Sequence, residues 1–142
     1  MTTKQLLEAF HWRRRRQTRL ARALRKRREL VVLADRTDTI RPGAVLLFCT
    51  LRNEALRLPH FLDHYRALGV THFLIVDNNS TDGSSAFVAD QPDVSLWHTT
   101  ASYRKSRCGM DWLQGLLMKY GHGHWCVTVD VDELLIYPHH DT

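Results

Sequence analysis

The chain has 142 residues, 44% hydrophobic and 25% charged, a length and balance that predict one domain with a real core. It holds no run of about 18 apolar residues, which excludes a membrane-crossing helix. It opens on no apolar segment with a small-residue cleavage site, so a cytoplasmic protein is expected. The cysteines Cys49, Cys108 and Cys126 form no C-x-x-C pair. Cys49 and Cys126 lie in apolar runs and read as reduced, buried thiols, not a disulfide framework.

The net charge of +5 conceals a division. Residues 1–36 carry twelve Lys and Arg against Glu8, Glu29 and Asp35, a surplus of nine. Residues 37–142 carry eight basic and twelve acidic side chains, a deficit of four. The expected organisation is a basic N-terminal extension, residues 1–36, before a mildly acidic domain, residues 37–142.

Residues 3–34 lack Gly and Pro and are rich in Leu, Ala, Arg, Lys and Gln, which predicts a helix. Leu20, Leu24 and Val31 approximate one face, and Arg13-Arg14-Arg15-Arg16 interrupts it. Two readings stay open. One is peripheral contact with an anionic membrane surface. The other is a solvated helix with one side packed on the domain. Aromatic residues do not interleave with the basic ones as base stacking requires, so no nucleic acid is expected.

Pro42-Gly43 closes a connector. Residues 44–50 form a continuous apolar run, as in a strand covered on both faces. It breaks at the polar turn Leu51-Arg52-Asn53-Glu54. Pro59 suits a first helical turn, Phe61, Leu62, Tyr65 and Leu68 recur at helical spacing, and Gly69 suits a stop. Residues 70–76 predict a second strand, ending in Asp77 and a turn-forming loop, Asn78-Asn79-Ser80-Thr81-Asp82-Gly83. A short helix through Phe87 and Val88 and a third strand at 94–99 should follow. Residues 100–109 are a basic, polar loop with Tyr103, Arg104, Lys105 and Arg107. Met110, Leu113, Leu116, Leu117 and Tyr120 mark a helix stopped by Gly121-His122-Gly123. Residues 125–129 read as a fourth strand and 134–137 as a short fifth, before Pro138.

Strands alternating with helices predict an α/β fold with a mostly parallel sheet and flanking helices, preceded by the basic helix. Ligands of such sheets bind beyond the carboxyl ends of the strands. The polar turns gather at those ends. At the fourth, three acidic residues arrive within four positions, Asp130-Val131-Asp132-Glu133. In an extended chain Asp130 and Asp132 face one side and Val131 the other. Two hard carboxylates on one side suit Mg²⁺ or Mn²⁺ shared with phosphate oxygens. The plain alternative is a strand end before a helical first turn that favours acids. His122 and His124 flank Gly123 without a third ligand at suitable spacing and read as solvated. His139 and His140 read as a free terminal pair, and Trp112 and Trp125 as core.

Three stretches together resemble the nucleotide-binding half of GT-A glycosyltransferases, of the family 2 type and its family 92-like relatives. They are Thr50-Leu51-Arg52-Asn53-Glu54-Ala55, Val76-Asp77-Asn78-Asn79-Ser80-Thr81-Asp82-Gly83, and Asp130-Val131-Asp132-Glu133, which looks like the D-x-D motif. The match spans about residues 44–138, in order. It implies a Rossmann-like nucleotide-binding half, a nucleotide-sugar donor, most often a UDP-sugar, a Mn²⁺ or Mg²⁺ ion, and a glycan or other hydroxyl acceptor. Thr50, Arg52, Asn53 and Glu54 would line the nucleotide pocket. Asp77 would contact base or ribose. Asp130 would touch ribose or metal, and Asp132 would be the main metal ligand. Asn78 departs from the family, many members of which carry a second Asp there. The resemblance also places the acceptor half and the general base beyond Thr142, so residues 1–142 alone are expected to transfer no sugar. A nucleotidyltransferase-like enzyme shares such a sheet and carboxylate pair, but would want a Gly-rich phosphate loop where Leu51-Arg52-Asn53-Glu54 stands. A non-catalytic module binding through residues 1–36 is the other alternative.

Overall fold

The computed structural model describes residues 2–137. Pro138 and the pair His139–His140 lie outside them. Five strands form one mixed sheet: β1 (Val31–Ala34), β2 (Val45–Leu51), β3 (His72–Asp77), β4 (Val94–His98) and β5 (Trp125–Thr128). Four helices accompany them: α1 (Thr3–Lys26), α2 (Leu58–Ala67), α3 (Ser84–Ala89) and α4 (Met110–Tyr120). The spatial order is β1-β4-β3-β2-β5. β2 through β5 run parallel, and β1 pairs antiparallel with β4. The expected mostly parallel α/β architecture with a basic N-terminal helix is present.

Alternation explains why β2 and β3 read as unbroken apolar runs. Leu47, Cys49, Leu51, Phe73 and Ile75 enter a core shared with Leu58, Phe61, Leu62 and Tyr65 of α2 and Val88 of α3. Leu46, Phe48, Leu74 and Val76 enter a second core with Trp112, Leu113 and Leu116 of α4. Both faces are covered, so every position must be apolar.

Two expected elements are corrected. The helix predicted over 3–34 ends at Lys26; a 3₁₀ turn at Arg27–Glu29 leads into β1. Lys26 Nζ lies 2.6 Å from Glu29, whose other oxygen accepts the Trp112 indole N–H at 3.0 Å. That fastens the turn, and the β-branched Val31 and Val32 then pair with His98 and Trp97, covering the outer edge of β4. The sheet thus takes its edge strand from within residues 1–36. The short strand expected at 134–137 does not form. That segment lies over α2 instead. The Tyr65 hydroxyl donates to the Glu133 carbonyl and accepts the Leu135 N–H, both at 3.1 Å, and His64 Nε2 is 3.0 Å from the Leu135 carbonyl. With backbone groups engaged by side chains, no ladder is built.

α1 packs against α4. Ala23 is fully buried in that contact, and Gly115 gives the close approach, since a Cβ there would meet the Ala23 carbonyl at 3.3 Å. The polar anchor is Asp111, which reads in sequence as a first-turn acid of α4. Its carboxylate is buried; Oδ2 accepts from Arg22 of α1 at 3.0 Å and Oδ1 from Arg107 at 2.8 Å. Hydrogen bonds to charged partners contribute about 1.5–3 kcal/mol each. Asp111→Asn should therefore destabilise the fold by roughly 2 kcal/mol, and Arg22→Ala by less, about 1 kcal/mol, because Arg107 remains. Urea denaturation measures both, with faster tryptic cleavage between Arg13 and Arg28 expected in either variant.

His72 begins β3, buried, with Nε2 2.9 Å from the Ser95 hydroxyl. Burial lowers its pKa below the ordinary histidine value. The unfolded chain then binds a proton that the folded one resists, so stability is full above about pH 6.5 and is lost as pH falls through the lower, folded value. The expected result is a falling denaturation midpoint between pH 7.5 and 5, with a shallower fall in His72→Gln.

Candidate functional site

The carboxyl ends of β2, β3, β4 and β5 share one rim. Its loops are fastened to each other through side chains. Asn53, held in the left-handed region at φ 56°, donates its N–H to Ser80 Oγ at 2.9 Å and accepts the Thr81 N–H on Oδ1 at 2.8 Å. The Glu54 N–H donates to Ser84 Oγ at 2.8 Å, and the Ala55 N–H to Asp82 at 3.0 Å. Asn78 joins three strands. Its N–H donates to the Leu51 carbonyl at 2.9 Å, and Nδ2 donates to the carbonyls of Thr99 at 3.1 Å and Ala101 at 3.0 Å.

Inside the rim lies a cleft of about 320 Å³. Thr50, Leu51, Arg52 and Glu54 form one wall, Asp130, Val131 and Asp132 another, and Asn78 and Tyr103 complete it. Strand pairing ends at Thr128, and residues 130–133 form a turn in which the Glu133 N–H donates to the Asp130 carbonyl at 3.0 Å. The chain is therefore not extended at the acidic run, as the i, i+2 argument supposed. The division it anticipated nevertheless holds: Val131 is buried in the α2 core while Asp130 and Asp132 line the cleft. Glu133 turns back, and its Oε2 lies 3.4 Å from the Asp130 N–H.

The site residues named from sequence divide into two groups. Thr50, Arg52, Glu54, Asp130 and Asp132 line one cleft. Asp77 and Asn53 do not. Asp77 is buried, accepts the Ser80 N–H at 3.2 Å, and lies 3.1 Å from His98 Nδ1. It shapes the rim, as Asn53 does. Lys105 and Arg107 also lie outside the cleft lining, and Arg107 is committed to Asp111. Tyr103 was legible only as part of a basic loop. Its position directly beyond the end of β4 is the signal that would have marked it.

The electrostatics are lopsided. Glu54 pairs with Arg57 at 2.7 Å, while the Arg52 guanidinium has no hydrogen-bond or ion-pair partner among the described residues. No ion pair engages Asp130 or Asp132 among those residues either. Partial burial, followed by the charges of Glu133 and Asp132, raises the Asp130 pKa above the ordinary carboxylate value. Burial and the charge of Asp130 likewise raise that of the Tyr103 hydroxyl. Among the described residues no three His, Cys, Asp or Glu side chains gather into a metal-holding group. The chain itself offers a cation two carboxylates here. A larger cavity, about 430 Å³, opens near Pro42, Thr71 and Pro92. Of its ionisable groups, His72 is spent on Ser95 and Asp93 on Arg66 at 2.6 Å, which leaves Arg41 as the one without a side-chain partner among the described residues.

Comparison of the chain with family models, curated proteins and solved structures finds no match.

One wall of the cleft depends on a glycine. Gly109 sits at φ 79°, and a Cβ on it would stand 2.6 Å from Thr50 Oγ1. That hydroxyl is also the buried side-chain polar atom left without a hydrogen-bond partner among the described residues. Gly109→Ala should cost about 1–3 kcal/mol from backbone strain and collision together. Thr50→Ala should cost little, because it removes an unsatisfied polar atom. The double variant should be more stable than the sum of the single losses, since the truncation makes room for the new methyl. Urea denaturation of the three variants tests the cycle.

Proposed function

We propose that the cleft binds the diphosphate of a nucleotide-sugar, a UDP-sugar above all, together with Mn²⁺ or Mg²⁺, and that the chain is the donor-binding part of a GT-A-type glycosyltransferase. The observation that carries this reading is the uncompensated pair Asp130 and Asp132 on a cleft at the carboxyl ends of parallel strands. The donor set fits. Two carboxylates without nitrogen or sulfur ligands suit a hard cation that completes its shell with phosphate and water. The raised pKa of Asp130 comes first from partial burial and then from the charges of Glu133 and Asp132, and a bound cation would oppose both.

The chain's own residues then take distinct parts. Asp132 and Asp130 hold the cation, which when bound offsets the charge that builds on the departing diphosphate. Arg52 presents its guanidinium to the same cleft and places positive charge beside the phosphates. Tyr103 offers an aromatic face for a base or sugar ring. Both amide hydrogens of Asn78 are spent on carbonyls, so its free Oδ1 is an acceptor toward the donor. Glu133 holds the Asp130 backbone. The acceptor in this reading is a glycan or another hydroxyl compound, and the base that deprotonates it is not among the residues assigned here.

Asp132→Asn keeps the size of the side chain and removes a charge. Titration calorimetry of UDP should show Mn²⁺-dependent binding weakened at least about tenfold, or ~1.4 kcal/mol. Protons compete with the cation for Asp130, so the same binding should weaken on lowering pH from 7 to 5. Identical UDP affinity with and without Mn²⁺, or in wild type and variant, would overturn the assignment.

A further inference from the structure

We propose that α1 docks on the surface of an anionic phospholipid bilayer through the face it turns away from the domain. This inference is independent of the reading of the cleft. It rests on how the structure divides the helix. Arg22, Ala23 and Lys26 look inward: Arg22 onto Asp111, Ala23 into the contact with α4, and Lys26 toward Glu29. At about 100° per residue, Leu6, Leu7, Phe10, Ala21 and Leu24 fall within roughly a 100° sector on the other side. Leu6, Leu7, Phe10 and Leu24 are 50–61% exposed. Four large apolar side chains aligned on one solvent-facing side of a helix are not the scattered exposure that any surface shows.

Charge selects the occupant. From Arg13 to Arg28 the chain carries ten Lys and Arg and no acid. Only Arg22 and Lys26 of these are ion-paired among the described residues. Arg13 falls just outside the apolar sector and Arg14 within it, between Ala21 and Leu7. Their long stems can lie along an apolar surface while the guanidinium reaches phosphate. Arg15, Arg16 and Arg19 line a crevice with Trp12 on the inner side. An apolar strip bordered by unpaired arginine is the pattern of a helix lying in the headgroup plane. A hydrophobic groove in a partner protein would match the strip but leave the arginines unanswered. An anionic bilayer answers both. In sequence the Arg13–Arg16 run breaks the stripe; on the folded helix Arg14 alone of that run stands in the sector, Arg13 borders it, and Arg15 and Arg16 turn to the inner side.

The full chain is co-sedimented with vesicles of phosphatidylcholine alone and with about 30% phosphatidylserine, at low and high salt. The expected result is binding at least tenfold stronger to the anionic vesicles, falling steeply with salt. Leu7→Gln/Phe10→Gln should lower it about tenfold, and Arg13→Gln/Arg14→Gln should lower it and flatten its salt dependence. All four positions are exposed and stand clear of the Asp111 anchor, and circular dichroism confirms that each variant folds. Any of three results would overturn the proposal: no binding to anionic vesicles at low salt, equal binding to neutral ones, or an unchanged Leu7→Gln/Phe10→Gln variant. Tight binding to single-stranded RNA without vesicle binding would reassign the arm to nucleic acid.

Discussion

The rim of the sheet depends on Asn78. Where parallel strands stop, their last carbonyls lose ladder partners, and chains leaving a sheet edge have no regular hydrogen bonds to hold them together. A buried orphan carbonyl is costly. Asn78 answers at three places with one residue, taking the Leu51 carbonyl on its backbone N–H and the Thr99 and Ala101 carbonyls on its amide. An aspartate here would have no side-chain N–H to give those two carbonyls. The Asn is thus required by the way this chain leaves β4, and its remaining oxygen is all that it can offer a ligand.

The carboxylates around the rim make an internal comparison. Asp77 is met by the Ser80 N–H and His98, Asp82 by the N–H groups of Ala55 and Ser84, Glu54 by Arg57, and Asp111 by two arginines. For Asp82 the hydrogen bond from the Ser84 hydroxyl leads the causes that lower its pKa. Asp130 moves the opposite way, raised by burial and by its acidic neighbours. The fold answers its other rim acids with protein partners and leaves Asp130 and Asp132 without an ion pair among the described residues, which is the contrast the proposed cation site rests on.

The parts that were legible in the sequence are those where one local rule acts alone. β2 and β3 are doubly covered, so their apolar runs have no rival reading. α4 was marked at both ends, by its apolar spacing and by Gly121. β1 was not legible because residues 3–34 hold no helix breaker. What ends the helix is tertiary: the Lys26–Glu29–Trp112 contacts and the free edge of β4. Residues 134–137 have strand composition but lie where Tyr65 and His64 take their backbone groups. Asp111 looks like an ordinary first-turn acid until α1 brings Arg22 to it. In the site, the motif spacing located Asp130 and Asp132 but could not separate Asp77, a rim brace, from residues that face the cleft.

The basic arm and the cleft are joined by one short loop. Arg22 bonds Asp111 and also reaches the Lys105 carbonyl at 3.3 Å. Ser106, fully buried, donates its hydroxyl to the Tyr103 carbonyl at 2.7 Å and accepts the Gly109 N–H at 3.1 Å. Arg107, Cys108 and Gly109 all sit at positive φ, at 53°, 56° and 79°. Such a run is held only where its surroundings fix it. Here they do so from both sides, with Asp111 gripping Arg107 and Thr50 filling the space beside Gly109. Tyr103 therefore owes its place in the cleft to contacts that begin on α1. Shifting α1 on α4 would release Arg22 from Lys105 and Asp111 together, and would loosen the loop that carries the Tyr103 ring.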